Sequence, residues 1–222
     1  MAAPNLTHRV SRMTGRDTDE PGRAATPLEL LFDLTFVVAF GTAADELAHF
    51  LAADHLRTAL LGFGFAAFAI SWAWINFSWF ASAYDTDDWI FRLLTLVQMV
   101  GVLVLALGIA EMFESVDEGE AVRNGVMVAG YVVMRIAMVA QWLRVARQDP
   151  ERRSAAMTYV TFILIAQAGW IALAFATPSV WPMVVLAAVL IGVEMAGPAV
   201  AEVRRGGTPW HPHHIAERYG LL

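Results

Sequence analysis

The stretch that decides the fold class is Ile90–Ala110, with the sequence IFRLLTLVQMVGVLVLALGIA. Its only charged residue is Arg92, which lies close to the N-terminal end. A helix of about 20 mostly apolar residues is long enough to cross the hydrocarbon core of a bilayer. We therefore predict that this stretch forms a transmembrane helix.

Five other stretches have a similar length and the same apolar character. They are Leu28–Ala44, Thr58–Ser82, Asn124–Leu143, Ala155–Ala176 and Val180–Ala201. The first of them has some features of a signal peptide, but the acids Glu29 and Asp33 inside it argue against cleavage. The predicted fold class is an all-α, polytopic transmembrane bundle of about six spans.

The composition supports this assignment. Hydrophobic residues make up 58% of the 222 positions, and charged residues make up only 16%. In a typical soluble domain, about 45–50% of the residues are hydrophobic and about 25% are charged. The expected partner is therefore the lipid bilayer. The net charge of −6 offers no basic surface for nucleic acid. The absence of cysteine excludes disulfides and thiolate chemistry, and we expect no cofactor.

The arginines predict the orientation of the bundle, because positively charged loops resist translocation. All 15 basic residues are arginine. With both termini in the cytoplasm, twelve arginines lie on the cytoplasmic side: Arg9, Arg12, Arg16, Arg23, Arg92, Arg144, Arg147, Arg152, Arg153, Arg204, Arg205 and Arg218. Only Arg57 and Arg123 lie on the other side. We predict that both termini are cytoplasmic.

This topology divides the chain into three regions. Residues 1–25 form a polar, arginine-rich cytoplasmic segment, and residues 26–203 form the six-helix transmembrane domain. Residues 204–222 form a cytoplasmic or interfacial segment that we expect to lead into a further helix.

Ionisable residues inside the predicted spans are the main candidates for function. Asp33, Arg135 and Glu194 each cost about 2.5–3.5 kcal/mol in a membrane helix unless they are paired. Counted at about 1.5 Å per residue from the cytoplasmic ends, they lie about 10–12 Å deep, in one layer with Asn76 and Gln98. This layer is either an ion or proton site or a structural charge cluster that fixes helix packing.

Two neighbouring features have alternative interpretations. Pro198 cannot donate to the carbonyl of Glu194, so it either interrupts the helix beside this acid or, with Gly197, ends the span. Glu29 is the third helical residue after Thr26-Pro27, a spacing typical of a capping box. Asp33, one turn deeper, has no such structural role, and it is the strongest single candidate for function.

Histidines concentrate in the tail, where His211, His213 and His214 precede Glu217. Histidine and glutamate can ligate zinc. Their spacing matches no established metal motif, however, and Pro212 restricts the backbone. We therefore predict no metal site.

Four stretches resemble one family in the same order along the chain. They are PLELLFDLTFVVAF at 27–40, YDTDDWIFRLLTLVQMVGVLVLALGI at 84–109, YVVMRIAMVAQWLRVARQDP at 131–150 and TPWHPHHIAERYGLL at 208–222. The chain is similar here to the bacterial low temperature requirement A family. The resemblance implies a multi-pass protein of the bacterial inner membrane, of which these residues form the N-terminal half.

The resemblance also marks individual positions. Besides Glu29, Asp33 and Arg135, the family motif includes Phe32, Asp85, Asp88, Arg92, His214, Glu217 and Arg218. It implies no mechanism, because the family name records a growth phenotype.

Three functions are compatible with this sequence. The leading hypothesis is a transporter- or channel-like protein for a small ion or small molecule, with the Asp33, Arg135 and Glu194 cluster at its centre. The alternative is a non-catalytic membrane scaffold or a stress- or temperature-related sensor. An intramembrane enzyme is disfavoured, because no cysteine exists and no histidine lies within a predicted span. The sequence leaves oligomerisation open.

Overall fold

The computed structural model describes residues 10–17 and 24–220, and this part of the chain is helical with short connections. Eight helices follow one another: α1 (Pro27–Ala52), α2 (Leu56–Tyr84), α3 (Trp89–Leu107), α4 (Ile109–Glu118), α5 (Gly125–Gln148), α6 (Arg153–Ala176), α7 (Val180–Arg204) and α8 (Pro212–Gly220). Helices α3 and α4 are separated only by Gly108, and together they form one rod, Trp89–Glu118.

Six helices in the described chain are long and apolar enough to cross a membrane, with α3 and α4 counted as one. Many large apolar side chains on their outer faces are exposed, among them Leu34, Leu93, Val185 and Val189. Such surfaces require lipid rather than water. The prediction of an all-α, multi-pass membrane protein is confirmed, while the orientation of the termini stays a prediction.

The helices pack mainly against their neighbours in the sequence, with α3 and α5 in the closest contact. A Cβ atom added to Gly130 on α5 would lie 2.3 Å from the backbone nitrogen of Leu105 on α3. On the facing surface, a Cβ atom on Gly101 would lie 2.7 Å from the carbonyl oxygen of Gly130. These two glycines allow the two backbones to approach directly, as small residues do in membrane helix pairs.

The helices extend beyond several predicted spans. Helix α1 continues past Ala44 to Ala52, and the third rod continues past Ala110 to Glu118. Both extensions carry acidic residues, and hydropathy ends a span where charges begin although the backbone stays helical. Helix α7 runs without a break through Pro198 to Arg204, so both interpretations of Pro198, an interrupted helix and an early end of the span, are wrong.

We call the end of the bundle that carries Thr26, Asp85–Asp88 and Arg152 the N-terminal face. The described part of the N-terminal segment, residues 10–17, lies against this face, and Met13 is fully buried there. Gln148 accepts a hydrogen bond from the Met13 backbone at 2.7 Å. Arg9 and Arg23, which entered the orientation count, lie outside the described residues.

Helix α8 also lies at the N-terminal face, and it packs against α2. Gly206 and Gly207, with φ values of 88° and 66°, turn the chain after α7. This left-handed conformation is accessible to glycine without steric cost. The turn directs α8 back into the bundle, so that His214 and Arg218 are fully buried.

Candidate functional site

Within the described residues, the ionisable side chains that the sequence placed in one cluster lie in two separate clusters inside the bundle. The Arg218 cluster comprises Glu29, Asp33, Trp74, His214 and Arg218, and the Glu194 cluster comprises Tyr131, Arg135, Trp170 and Glu194. The prediction of one cluster that contains Asp33, Arg135 and Glu194 is therefore wrong, because Asp33 pairs with Arg218 whereas Arg135 pairs with Glu194.

The Arg218 cluster starts at the capping box of α1. Thr26 Oγ1 accepts from the Glu29 backbone at 3.2 Å, and Glu29 Oε2 accepts from the Thr26 backbone at 2.7 Å. The predicted capping box is confirmed. The same carboxylate lies 3.3 Å from His214 Nε2 and 3.4 Å from Arg218 Nη1. Glu29 thus joins the start of α1 to α8.

Asp33 lies one turn deeper than Glu29 and bonds through only one of its oxygens. Its Oδ1 accepts from Arg218 Nη2 at 2.5 Å and from Trp74 Nε1 at 2.8 Å. Its Oδ2 is buried and has no hydrogen-bond partner among the described residues. The Asp33 side chain is 16% exposed, whereas Arg218 is fully buried. One carboxylate oxygen of Asp33, Oδ2, therefore lies inside the bundle and accepts no hydrogen bond from the described residues.

Aromatic rings surround the Arg218 guanidinium. Its Cζ lies 5.5 Å from the ring centroid of Trp74 and 5.7 Å from that of Phe77. Phe32 stacks on Phe77 at 3.8 Å, so this family-motif residue forms part of the wall. Aromatic faces attract cations, and they exclude water from the ion pair.

In the Glu194 cluster, by contrast, both carboxylate oxygens accept hydrogen bonds from protein side chains. Glu194 Oε2 accepts from Arg135 at 3.0 Å and from the Tyr131 hydroxyl at 2.5 Å. Glu194 Oε1 accepts from Trp170 Nε1 at 2.8 Å. Arg135 also contacts the Tyr131 hydroxyl, and its guanidinium lies 4.5 Å from the centroid of that ring. The positive charge of Arg135 therefore compensates the negative charge of Glu194.

The family assignment rests on a comparison over most of the chain. The profile described as Bacterial low temperature requirement A protein (LtrA) matches residues 24–222. The chain belongs to this family. An uncharacterized protein of Rhizobium meliloti (strain 1021) is 28% identical over 198 residues, which cover 89% of this chain and 44% of that protein. The chain thus spans less than half the length of this relative. No solved structure matches.

The LtrA motif residues around the start of α3, Asp85, Asp88 and Arg92, make mainly local contacts. Asp85 follows α2 and accepts from the Asp87 backbone, and Arg92 pairs with Asp87 at the exposed surface. Asp88 caps α3 through the Phe91 backbone at 2.9 Å. None of these three side chains belongs to either buried charge cluster.

Asp88 also anchors the N-terminal segment. It pairs with Arg144 of α5 and accepts from the Ser11 backbone at 3.1 Å. Burial by itself raises the pKa of Asp88, but the hydrogen bonds from Arg144, Phe91 and Ser11 outweigh burial, so its pKa is lowered. The carboxylate is thus held ionised at neutral pH.

The two predicted amide residues have different environments. Gln98 Nε2 donates to Gln141 Oε1 at 3.0 Å between α3 and α5, so Gln98 does not join a charged cluster. Asn76 donates to the Trp72 carbonyl on its own helix. Asn76 also lines a small cavity together with Arg135 and Glu194, which places it beside the Glu194 cluster.

The sequence did not single out several partners of these charges. Trp74, Tyr131 and Trp170 all lie within apolar runs, where an aromatic side chain is typical of helix packing. Tyr131 precedes Arg135 by one helical turn, a spacing that places two side chains on one face, and it could have been found from that pattern. Glu217 lies on α8, where its Oε2 atom has no hydrogen-bond partner among the described residues.

In the described part of the chain, no three or more histidine, cysteine, aspartate or glutamate side chains are grouped closely enough to hold a metal ion. His211 and His213 are near each other, with ring centroids 6.3 Å apart. His214 instead turns toward Glu29.

Proposed function

We propose that this chain forms a transporter- or channel-like domain of the bacterial inner membrane that moves protons or small cations, with Asp33 as the ion-binding acid. One observation carries the proposal. Asp33 lies within a membrane helix, and its Oδ2 atom is buried without a hydrogen-bond partner among the described residues. Ionisable residues inside membrane helices are costly and commonly mark ion pathways.

Arg218 and Trp74 prepare Asp33 for this role. Both donate to Oδ1, and they leave Oδ2 as the atom that can accept a proton or a cation. Protonation of Oδ2 would neutralise the carboxylate and loosen its ion pair with Arg218, which is the charge change that a transport cycle requires. We assign no chemical reaction to the chain.

We propose a structural role for the Glu194 cluster. Each Glu194 oxygen has a protein donor, and Arg135 supplies the compensating charge. A closed pair of this kind fixes the packing of α5, α6 and α7 without a vacant position for an ion. If Asp33 were also purely structural, the whole domain would be a membrane scaffold or sensor, which is the second hypothesis.

Proton uptake into liposomes tests the proposal. Purified wild-type chain is reconstituted with a pH-sensitive dye inside the vesicles, and a potassium gradient with valinomycin supplies the driving potential. We expect proton uptake by the wild type and none by Asp33→Asn, because asparagine keeps the shape but cannot exchange a proton.

Asp45→Asn is the matched control, since Asp45 lies on the same helix and is exposed. It should transport as the wild type does. Thermal unfolding in detergent establishes that both variants are folded. A folded Asp33→Asn protein with wild-type uptake would exclude Asp33 as the ion-binding acid, and a wild type without proton, sodium or potassium flux would favour the scaffold.

A further inference from the structure

A second cavity lies between α2, α6, α7 and α8, next to the small cavity beside the Glu194 cluster, with which it shares Asn76 and Pro198. Its volume is about 290 Å³. Its aromatic and polar lining consists of Trp72, Asn76, Trp79, Tyr159, Glu202 and Tyr219. The volume is close to the lower end of the range for small-molecule sites, about 300 Å³.

Among the described residues that line this cavity, Glu202 has the only charged side chain. Its carboxylate accepts four hydrogen bonds, all from neutral groups. Tyr159 donates at 2.7 Å, Trp79 at 3.3 Å, and Thr208 through its hydroxyl at 2.9 Å and its backbone at 3.0 Å. No arginine or histidine in the described ranges forms an ion pair with Glu202.

The local backbone holds this carboxylate in place. The turn at Gly206-Gly207 brings Thr208 back over the last turn of α7, where both of its donors meet Glu202. A Cβ atom at Gly207 would lie 3.0 Å from Glu202 Oε2, so only glycine leaves the carboxylate undisturbed. The charge is therefore fixed in position but not neutralised by the protein.

Two indoles and two phenols line the cavity, together with Ile75, Asn76, Pro198 and Ala199. The face of an aromatic ring carries negative electrostatic potential and attracts a cation within about 6 Å. Small inorganic cations prefer oxygen ligands, and the cavity offers few. An organic ammonium ion, with a larger apolar surface, matches both the aromatic walls and the single carboxylate.

We propose that this cavity binds a small organic cation of the ammonium class, with Glu202 as its counter-ion. The site is separate from Asp33, and ligand binding does not require that the domain transports protons. A failure of proton uptake would therefore leave this proposal intact, and the reverse also holds.

Binding is measured on the purified full chain in non-ionic detergent, through the fluorescence of its tryptophans. The probe is choline chloride, and sodium chloride maintains constant ionic strength. The comparison ligand is 3,3-dimethyl-1-butanol (dimethylbutanol), in which carbon replaces the nitrogen of choline. It has the same shape as choline but no charge. We expect the tryptophan fluorescence to change saturably with choline concentration and to stay constant with dimethylbutanol.

Glu202→Gln tests the counter-ion directly, since glutamine keeps the size of the side chain. We expect choline affinity to fall by about tenfold or more, equivalent to the loss of about 1.4 kcal/mol. Glu151→Gln, whose side chain is 88% exposed, should bind as the wild type does.

Three results would overturn the proposal: no response to choline, an equal response to choline and dimethylbutanol, or undiminished affinity in Glu202→Gln. The comparison of the two ligands uses only wild-type protein, so it decides the matter even if Glu202→Gln fails to fold.

Discussion

Glu29 caps the N-terminus of α1, and the same carboxylate also contacts α8. The capping box is a local pattern, because Thr26 and Glu29 are only three positions apart in the sequence. The contact with Arg218 spans almost the whole chain. One side chain therefore couples the start of the first membrane helix to the last described helix.

Arg218 is the residue whose loss we expect to be most damaging. Its guanidinium is fully buried and contacts both Glu29 and Asp33. Arg218→Gln leaves the buried Glu29 and the partly buried Asp33 without this cation, and breaking a buried pair costs about 3–5 kcal/mol. We expect a strong decrease in folded yield and thermal stability in detergent, with partial recovery in the Arg218→Gln, Asp33→Asn double variant.

The control for Arg218→Gln is Arg92→Gln. Arg92 is also paired with an aspartate, but its side chain is 58% exposed. Exposed ion pairs contribute little to stability, because solvent screens them, so the melting temperature of this variant should be close to that of the wild type. Similar losses in the two variants would contradict the central role of the Arg218 cluster.

Sequence reasoning identified the individual residues better than their partners. The cap at Thr26 followed from local spacing, and hydropathy identified Asp33 as an ionisable residue inside a membrane helix. Depth counting then placed Asp33 and Arg135 in one layer, but depth along a helix gives no information about which helices are neighbours. The true partner, Arg218, lies in a short polar segment that hydropathy assigns to the membrane surface.

Among the elements, α3 and α5 depend on two glycines. Gly130→Ala would place a Cβ atom 2.3 Å from the Leu105 backbone nitrogen, which cannot move without the helix. Overpacking of this kind costs about 1–3 kcal/mol. We expect a clear decrease in the melting temperature in detergent.

Gly192→Ala is the control, because a Cβ atom at Gly192 meets nothing within 4 Å. Alanine is a better helix former than glycine by about 1 kcal/mol, so this variant should be at least as stable as the wild type. If Gly130→Ala were equally harmless, the close packing of α3 on α5 would be wrong.

The six membrane helices were predictable because each carries a long apolar run. Their ends were not, since polar residues such as Asp45 and Glu118 lie on helix that continues beyond the apolar core. Helix α8 was missed altogether. It has only nine residues and a polar composition, and its position depends on buried contacts rather than on its own hydropathy.

At the level of the whole molecule, the orientation in the membrane is open to a direct test. The natural sequence contains no cysteine, so any introduced cysteine is the only thiol. Glu120 and Glu151 are both exposed, in connections at opposite ends of the bundle. With cytoplasmic termini, an impermeant maleimide applied to intact bacterial cells with a permeabilised outer membrane should label Glu120→Cys and not Glu151→Cys.

Rupture of the inner membrane provides the control, because both cysteines should then react. Labelling of Glu151→Cys in cells with an intact inner membrane, with Glu120→Cys protected, would reverse the orientation. Labelling of both would contradict the odd number of crossings between them.

The ion pair between Asp33 and Arg218 also has a consequence for biosynthesis. The two residues are 185 positions apart, and ribosomes add about 5–20 residues per second. The first helix must therefore enter the bilayer about 10–40 s before its counter-charge is made. During that interval its acids depend on water or on the insertion machinery, and nascent chains that stall before residue 218 should be preferred substrates for membrane proteases.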